Sequence, residues 1–579
     1  MKNTIFAAGI AASAIAACFP AKSPAGVAPI RLAYNYCTLS YTFAYYSDEA
    51  WAGEVDRLAK AGYNTALVID GTFKVWQATL AELGYPDEEI AKFIPDECTR
   101  AWWLMANLTG EDSGVDAATV EEDGKRGRYI CSLMREKGIE PVLQGFTGMM
   151  PLGTPGAIAQ GEWSVYERPP MLDPTGEEFA RVAEVWYRNL EKVYGFKPKY
   201  LAGDLFHEGG RTAGIDVTEA VRKVQQTQQK AFPGVTWIVQ AWQGNPTREV
   251  RAGLDPRFTL IEALVKDMGA FTDDDSVCNL GFDDLPWIWC EVLNFGGNHG
   301  LYGNLKTYSR IGRAAKSATF RGYGALSEGF FTNPVCQDLF EDMMMREAGS
   351  ELSAAELAEW LRAWIAKRYG VEDGRISEAW RILARTVYNC SRCQEGTVEN
   401  VLCAYPSLEA DNASTWGPRG GLWYSAAELE RALGLFVSAA GDVSFPDGRA
   451  RENFMLDKYD LERQVRANRM RALLPFMGDI PDKAQRENAR AAFLREAEWF
   501  ANADGHSVPE SFRLGTYLAQ ARARGGERAA RAFCRMVTTW TGQEFQRTTL
   551  SDYANREYPE LVREYYLPRW KRFLGDLAE

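Results

Sequence analysis

Between Ile30 and Phe330, short apolar runs alternate with longer stretches whose apolar residues recur at helical spacing. Eight such runs stand out: IRLAY from Ile30, TALVI from Thr65, EPVLQG from Glu140, YLAGD from Tyr200, TWIVQAW from Thr236, FTLIEAL from Phe258, PWIWCEVL from Pro286 and YGALSEG from Tyr323. Continuous apolar runs of this length, bounded by glycine and polar residues, predict strands buried on both faces. The intervening segments predict amphipathic helices, as in WAGEVDRLAKAG from Trp51, GRYICSLMREKG from Gly127 and EFARVAEVWYRNLEKVYG from Glu178. Eight alternations of this kind predict a (β/α)8 barrel over about residues 30–340.

Past Asn333 the strand-like runs stop and helical periodicity takes over. Examples are ELAEWLRAWIAKRYG from Glu356, ISEAWRILARTVY from Ile376, DLERQVRANRMRALLPFM from Asp460, RENARAAFLREAEWFA from Arg486 and SFRLGTYLAQARA from Ser511. This half predicts an all-α domain over 345–579 that contributes to the active site, with Ala410–Ser425 as its most loop-like part. The fold class expected is therefore α/β plus all-α. A chain of 579 residues is long for one compact core, which agrees with two domains.

Two of the eight runs lead into a lone glutamate beside glycine: YLAGDLFHEGG, carrying Glu208, and GYGALSEGFFTN, carrying Glu328. In a barrel both fall at the carboxyl ends of strands, where side chains from different strands converge. Two convergent carboxylates are what glycoside hydrolysis needs, one to protonate the leaving oxygen and one to attack or stabilise the anomeric carbon. The alternative is that both are ordinary loop glutamates.

Composition narrows the partner. A formal net charge of -13 disfavours nucleic acid, whose phosphates require basic patches. No internal apolar run reaches the length of a membrane span. The 18 tryptophans suit stacking against sugar faces, although most such rings belong to cores.

The amino terminus, with Lys2 ahead of an apolar stretch from Ile5 to Ala17, reads as an export signal over residues 1–18. Ile15-Ala16-Ala17-Cys18 resembles a lipoprotein box that would anchor the chain to a membrane through Cys18; simple cleavage near Ala16 is the competing reading. Either way the protein is expected to be exported, to the periplasm, cell surface or medium. Cys390, Cys393 and Cys403 are close enough in sequence for a disulfide there, whereas Cys131 and Cys534 read as buried free thiols. Three cysteines without a fourth ligand, in a chain whose histidines are only His207, His299 and His506, do not make a zinc site, and no metal or cofactor is expected.

The chain resembles glycoside hydrolase family 89 from about Leu32 to its end. The motifs are NYCTLSYTF from Asn35, WLMANL from Trp103, GDLFHE from Gly203, WCEVLNFGGNHGLYG from Trp289, LSEGFFTNPV from Leu326, RYGV from Arg368, VYNCS from Val387, SDYANREY from Ser551 and YYLPRW from Tyr565. The resemblance implies a retaining exo-enzyme that removes terminal α-linked N-acetylglucosamine, with Glu208 as acid/base and Glu328 as nucleophile. It further implies a sugar pocket drawn from Asn35, Cys37, Tyr41, Trp102, Trp163, His207, Trp242, Asn294, Phe295, Trp540 and Tyr553. Met105 and Asn107 match family positions at the barrel mouth, and His299 reads as a structural residue packed among glycines. The sequence departs from the family in carrying His207 where members have Asn, and Leu326-Ser327 where they have Ala-Pro. It is also expected to lack the small α/β domain that precedes the barrel in other members, because the first strand-like run starts soon after the expected signal.

Retention implies carboxyl groups about 5 to 5.5 Å apart, against roughly 6.5 to 9.5 Å for inversion. Two rival functions are a β-N-acetylhexosaminidase, which would carry adjacent acidic residues where Glu208 is flanked by His207 and Gly209, and a non-catalytic glycan-binding protein on a decayed barrel. The glycan expected is of mucin O-linked or heparan type, with mucin favoured because an acidic protein repels sulfated polyanions.

Overall fold

The computed structural model describes residues 29–110, 113–264, 282, 284–390, 400–410, 422–478, 480–502, 508–538, 540 and 553–577. The expected signal, Cys18, Cys393, His506 and most of the 410–425 loop lie outside them. Among the described residues eight parallel strands close a barrel: β1 (Ile30–Ala33), β2 (Thr65–Leu67), β3 (Glu140–Gln144), β4 (Tyr200–Ala202), β5 (Thr236–Gln240), β6 (Thr259–Ala263), β7 (Trp287–Glu291) and β8 (Phe320–Ala325). All eight coincide with the predicted runs, and each neighbours its successor around the ring. The strands are short but buried almost throughout, which is why each reads as an apolar block and not as an alternation.

Closure places β1 beside β8 with Ile30 opposite Gly322. Gly322 has φ +147°, and a Cβ there would lie 1.9 Å from the Ile30 carbonyl oxygen, so only glycine lets the first and last strands meet. The predicted helices form as amphipathic outer elements, including Asp48–Ala61, Ala117–Glu136 and Glu177–Tyr194. Asp48–Ala61 starts on the Ser47 side chain, which accepts the Ala50 N–H, and stops at left-handed Gly62. One irregular excursion matters for function: after β3 the chain forms a small hairpin, Glu162–Trp163 against Tyr166–Glu167, before the helix Glu177–Tyr194.

The second half is helical, with long helices at Ala354–Tyr369, Gly374–Arg385, Ala426–Ala440, Gly448–Leu473, Lys483–Ala501 and a kinked Leu514–Thr538. Ala354–Tyr369 carries a reciprocal capping box between Ser353 and Glu356 and ends at left-handed Gly370. No described helix is long and apolar enough to cross a membrane. Cys390 and Cys403 are both buried; the expected disulfide in this cluster involves Cys393, which lies outside the described residues. Cys131 is buried as expected, but Cys534 is only half-buried, at the edge of the buried face that Phe533, Met536 and Val537 form on its helix.

Charge fixes the helical half onto the barrel. Arg528 pairs with Asp96 and, at 2.9 Å, with Glu97, and Tyr45 Oη donates to the Ala529 carbonyl at 3.2 Å. Arg463, 1% exposed, sits between Asp460 (2.6 Å) and Glu557, joining helix Gly448–Leu473 to the 553–558 segment that packs on the barrel mouth. Removing one partner from a buried ion cluster strands the remaining charges. Arg463→Met is therefore expected to lower the unfolding free energy by about 3 to 5 kcal/mol in urea titration; a loss below about 1 kcal/mol would contradict this role.

Candidate active site

The turn after β4 delivers Glu208 through a backbone that L-residues seldom adopt: Phe206 has φ +59° and Glu208 has φ +46°. Such a turn persists only if its surroundings hold it. Arg168, 4% exposed and just past the Glu162–Glu167 hairpin, does so. Its guanidinium donates to the His207 carbonyl at 2.9 Å, the Glu208 carbonyl at 2.7 Å and the Asn107 Oδ1 at 3.0 Å. Asn107 Nδ2 in turn donates to Glu208 Oε2 at 2.8 Å, so one cation fixes both the backbone of Glu208 and a donor to its carboxylate. Glu208 Oε1 accepts from the Trp242 indole N–H at 2.9 Å and from Gln243 Nε2 at 3.4 Å.

Glu328 follows β8, with its backbone N–H donating to the Leu293 carbonyl at 2.9 Å and its Oε2 accepting the Gly296 N–H at 2.7 Å. The two glutamates are joined through a short path across the mouth. Trp242, bonded to Glu208, stacks on Phe295 with ring centroids 5.4 Å apart, and Phe295 precedes the Gly296 that holds Glu328. Both carboxylates also act on Cys37, whose thiol is hydrogen-bonded to Glu328. Burial and the charges of Glu328 and then Glu208 push that thiol well above its ordinary range, so it stays protonated.

Beneath Glu328 lies a second carboxylate. Glu291, at the end of β7, is buried and pushed up to about 7 by that burial, against the opposing bond from the Ser327 hydroxyl and the backbone N–H of Leu326. Ser327 thus uses its side chain to tie the residue before Glu328 to the neighbouring strand.

The remaining expected positions divide into ring walls and backbone supports. Trp540, from the helical half, packs on Trp102 at 4.7 Å and on Trp163 at 5.8 Å, and Tyr41 packs on Trp102 at 4.8 Å. Tyr166 donates its hydroxyl to the Trp540 carbonyl, which locks the hairpin carrying Trp163 to the helical half. Asn35 caps the helix Tyr36–Tyr41 and donates to the Leu326 carbonyl at 2.9 Å. Asn294, fully buried with φ +51°, gives its amide to the Asn298 and Gly300 carbonyls and accepts from Asn333 at 2.8 Å. Both asparagines therefore shape the loops that carry Glu328. Tyr553 contributes its carbonyl to Asn298 at 3.2 Å and lies so close to Gly296 that a Cβ there would be 2.5 Å from it.

Met105 sulfur lies 3.9 Å from Gln240 Nε2, under the mouth. His299 is buried against Phe512 and Tyr558, and burial together with Arg556 and Arg463 pulls its imidazole well below its ordinary value, so it is neutral. Among the described residues no group of three His, Cys, Asp or Glu could hold a metal ion. Sequence reasoning missed Arg168 and Glu291. Arg168 belongs to no periodic element, while Glu291 sits inside a motif as the one charge in an apolar strand.

Residues 31–347 match the family described as Alpha-N-acetylglucosaminidase (NAGLU) tim-barrel domain, and residues 360–579 match its C-terminal domain. Human alpha-N-acetylglucosaminidase is 29% identical over 588 residues, spanning 95% of this chain and 75% of the human protein. The family 89 glycoside hydrolase from Clostridium perfringens, in complex with 2-acetamido-1,2-dideoxynojirmycin, superposes with a TM-score of 0.87 at 28% identity, covering 95% of this chain. The same TM-score and identity hold for the Clostridium enzyme in complex with its substrate GlcNAc-alpha-1,4-galactose. This chain spans 63% of the length of those Clostridium chains.

If Arg168 is what holds the turn, Arg168→Met will lower kcat on a glycoside by about 100-fold, the cost of a small misplacement of a reacting group. KM will move far less, and steady-state kinetics separates the two; a change confined to KM would place Arg168 in substrate binding instead.

Proposed function

The chain belongs to the alpha-N-acetylglucosaminidase family, glycoside hydrolase family 89, and from that premise we propose that it hydrolyses terminal α-linked N-acetylglucosamine from the non-reducing ends of glycans with retention of configuration. The observation that carries this reading is the pair of strand-end glutamates facing one mouth, linked through Trp242, Phe295 and Gly296. Their environments differ in kind: Glu208 takes side-chain N–H donors from Asn107 and Trp242, while Glu328 is held by a backbone N–H and the Cys37 thiol.

In the first step Glu328 attacks the anomeric carbon as Glu208 passes its proton to the glycosidic oxygen, so the C–O bond to the leaving sugar breaks and a glycosyl-enzyme forms. In the second step Glu208, now ionised, takes a proton from water, whose oxygen attacks the same carbon and releases Glu328. Two inversions restore the α configuration. Trp163, half-buried and backed by Trp540 and Trp102, supplies an aromatic face of the kind that stacks on the apolar side of a sugar.

For the natural glycan, a neutral mucin-type chain is favoured over a sulfated one, because a net charge of -13 opposes the approach of a polyanion. The Clostridium enzyme's complex with GlcNAc-alpha-1,4-galactose supports the same choice. Glu328→Ala and Glu208→Ala are each expected to cut turnover of an aryl α-N-acetylglucosaminide by at least 10³-fold. Azide should restore activity to Glu208→Ala when the leaving group is activated, since it needs no base. Full activity in Glu328→Ala would remove the nucleophile assignment, and equal rates on neutral and sulfated substrates would remove the glycan preference.

A further inference from the structure

The residue ahead of the acid is itself titratable and is wedged between two carboxylates. His207 is 6% exposed, with Nδ1 3.5 Å from Asp204 Oδ2 and Nε2 3.9 Å from Glu208 Oε2. Asp204 is fixed from the far side: its Oδ1 accepts the Gln240 backbone N–H at 2.9 Å and its Oδ2 accepts the Gln240 amide. Those donors suit an ionised Asp204, which faces Nδ1 as an acceptor and so keeps a proton there. Nε2 then faces Glu208 either as a lone pair or as a second N–H. A lone pair against an ionised Glu208 is repulsive; an N–H is attractive. The pair of Nε2 and Glu208 Oε2 is therefore arranged to hold at least one proton between them.

We propose that His207, anchored by Asp204, is a positioning residue that carries positive charge against Glu208 and so sets the pH range over which Glu208 alternates between acid and base. The proposal rests on Glu208 being the acid/base of the reading above. No atom of His207 need touch the sugar.

The other groups around the imidazole allow this. The Arg168 guanidinium, which approaches through the His207 carbonyl, opposes the positive charge, whereas Asp204 and Glu208 favour it. Asn107, Trp242 and Gln240 are neutral. Behind Asp204, burial keeps Glu262 and Tyr36 in their neutral forms. Burial by itself pulls the His207 imidazole down, but the bond to Asp204 and the charges of Glu208 and Asp204 outweigh burial and Arg168, leaving it above its ordinary value. The sign follows. Below that raised value His207 is a cation, and a cation at this distance favours the ionised form of a carboxylate over its protonated form.

Two measurements test this. The chain has only three histidines, so carbon-labelled imidazoles can be followed one by one by NMR, with His207→Asn supplying the assignment. His207 is expected to titrate above 6.5 and to move down by at least half a pH unit in Glu208→Gln; a His207 that is neutral at pH 6.5, or one indifferent to Glu208→Gln, overturns the proposal. In kinetics, His207→Asn should raise the alkaline limb of the kcat/KM profile by about one pH unit, the effect of deleting an opposite charge at this distance. An unmoved limb overturns the proposal with the acid/base assignment intact. Where His207→Asn does not fold, His207→Gln takes its place in both measurements. Failure of the glycosidase reading would be recognised separately, as full turnover in Glu328→Ala, and would leave the His207 titration measurable.

Discussion

The Arg168 guanidinium is the contact on which the geometry around Glu208 depends. Glu208 stands in a turn whose backbone is unfavourable for two of its three central residues, and the Arg168 fork meets much of that cost by binding the carbonyls of His207 and Glu208 at once, with the Asn245 amide on the Phe206 carbonyl. The same fork orients Asn107, which then donates to the carboxylate. A lysine could supply the charge but not three directed bonds from one plane. Because Arg168 follows directly on the hairpin that carries Trp163, the placement of Trp163 and the pose of Glu208 are set by one short excursion of the chain.

A similar economy links the two halves of the protein. The helical half places Trp540 against Trp102 and Trp163, and the 553–558 segment presses on the glycine-rich loop that holds Glu328. Gly296 is required there because the Tyr553 carbonyl leaves no space for a side chain. Arg463 and Arg528 anchor those helical elements through carboxylates that burial would otherwise leave uncompensated. The barrel thus supplies both glutamates, but the rings and loops packed beside them include residues several hundred positions away.

How much of this was legible in the sequence follows from what each element does physically. All eight barrel strands could be read because most of their positions are buried whichever face they point to, and burial leaves an apolar block in the sequence. Glu208 and Glu328 could be read because they break such blocks beside glycine. Arg168 could not, since an isolated arginine in an irregular loop looks like any solvated cation until its carbonyl partners are placed. Nor could the left-handed turn, because Phe206 and Glu208 carry no glycine to announce it. Asn35 and Asn294 were expected at the sugar pocket through the family resemblance, and the structure assigns their amides to loop carbonyls.

The central claim is a double displacement by Glu208 and Glu328, and the stereochemistry of the first product tests it most directly. Proton NMR of the sugar released from an aryl α-N-acetylglucosaminide, recorded before mutarotation, should show the α anomer first. The β anomer appearing first would mean a single displacement by water and would contradict the nucleophilic role of Glu328.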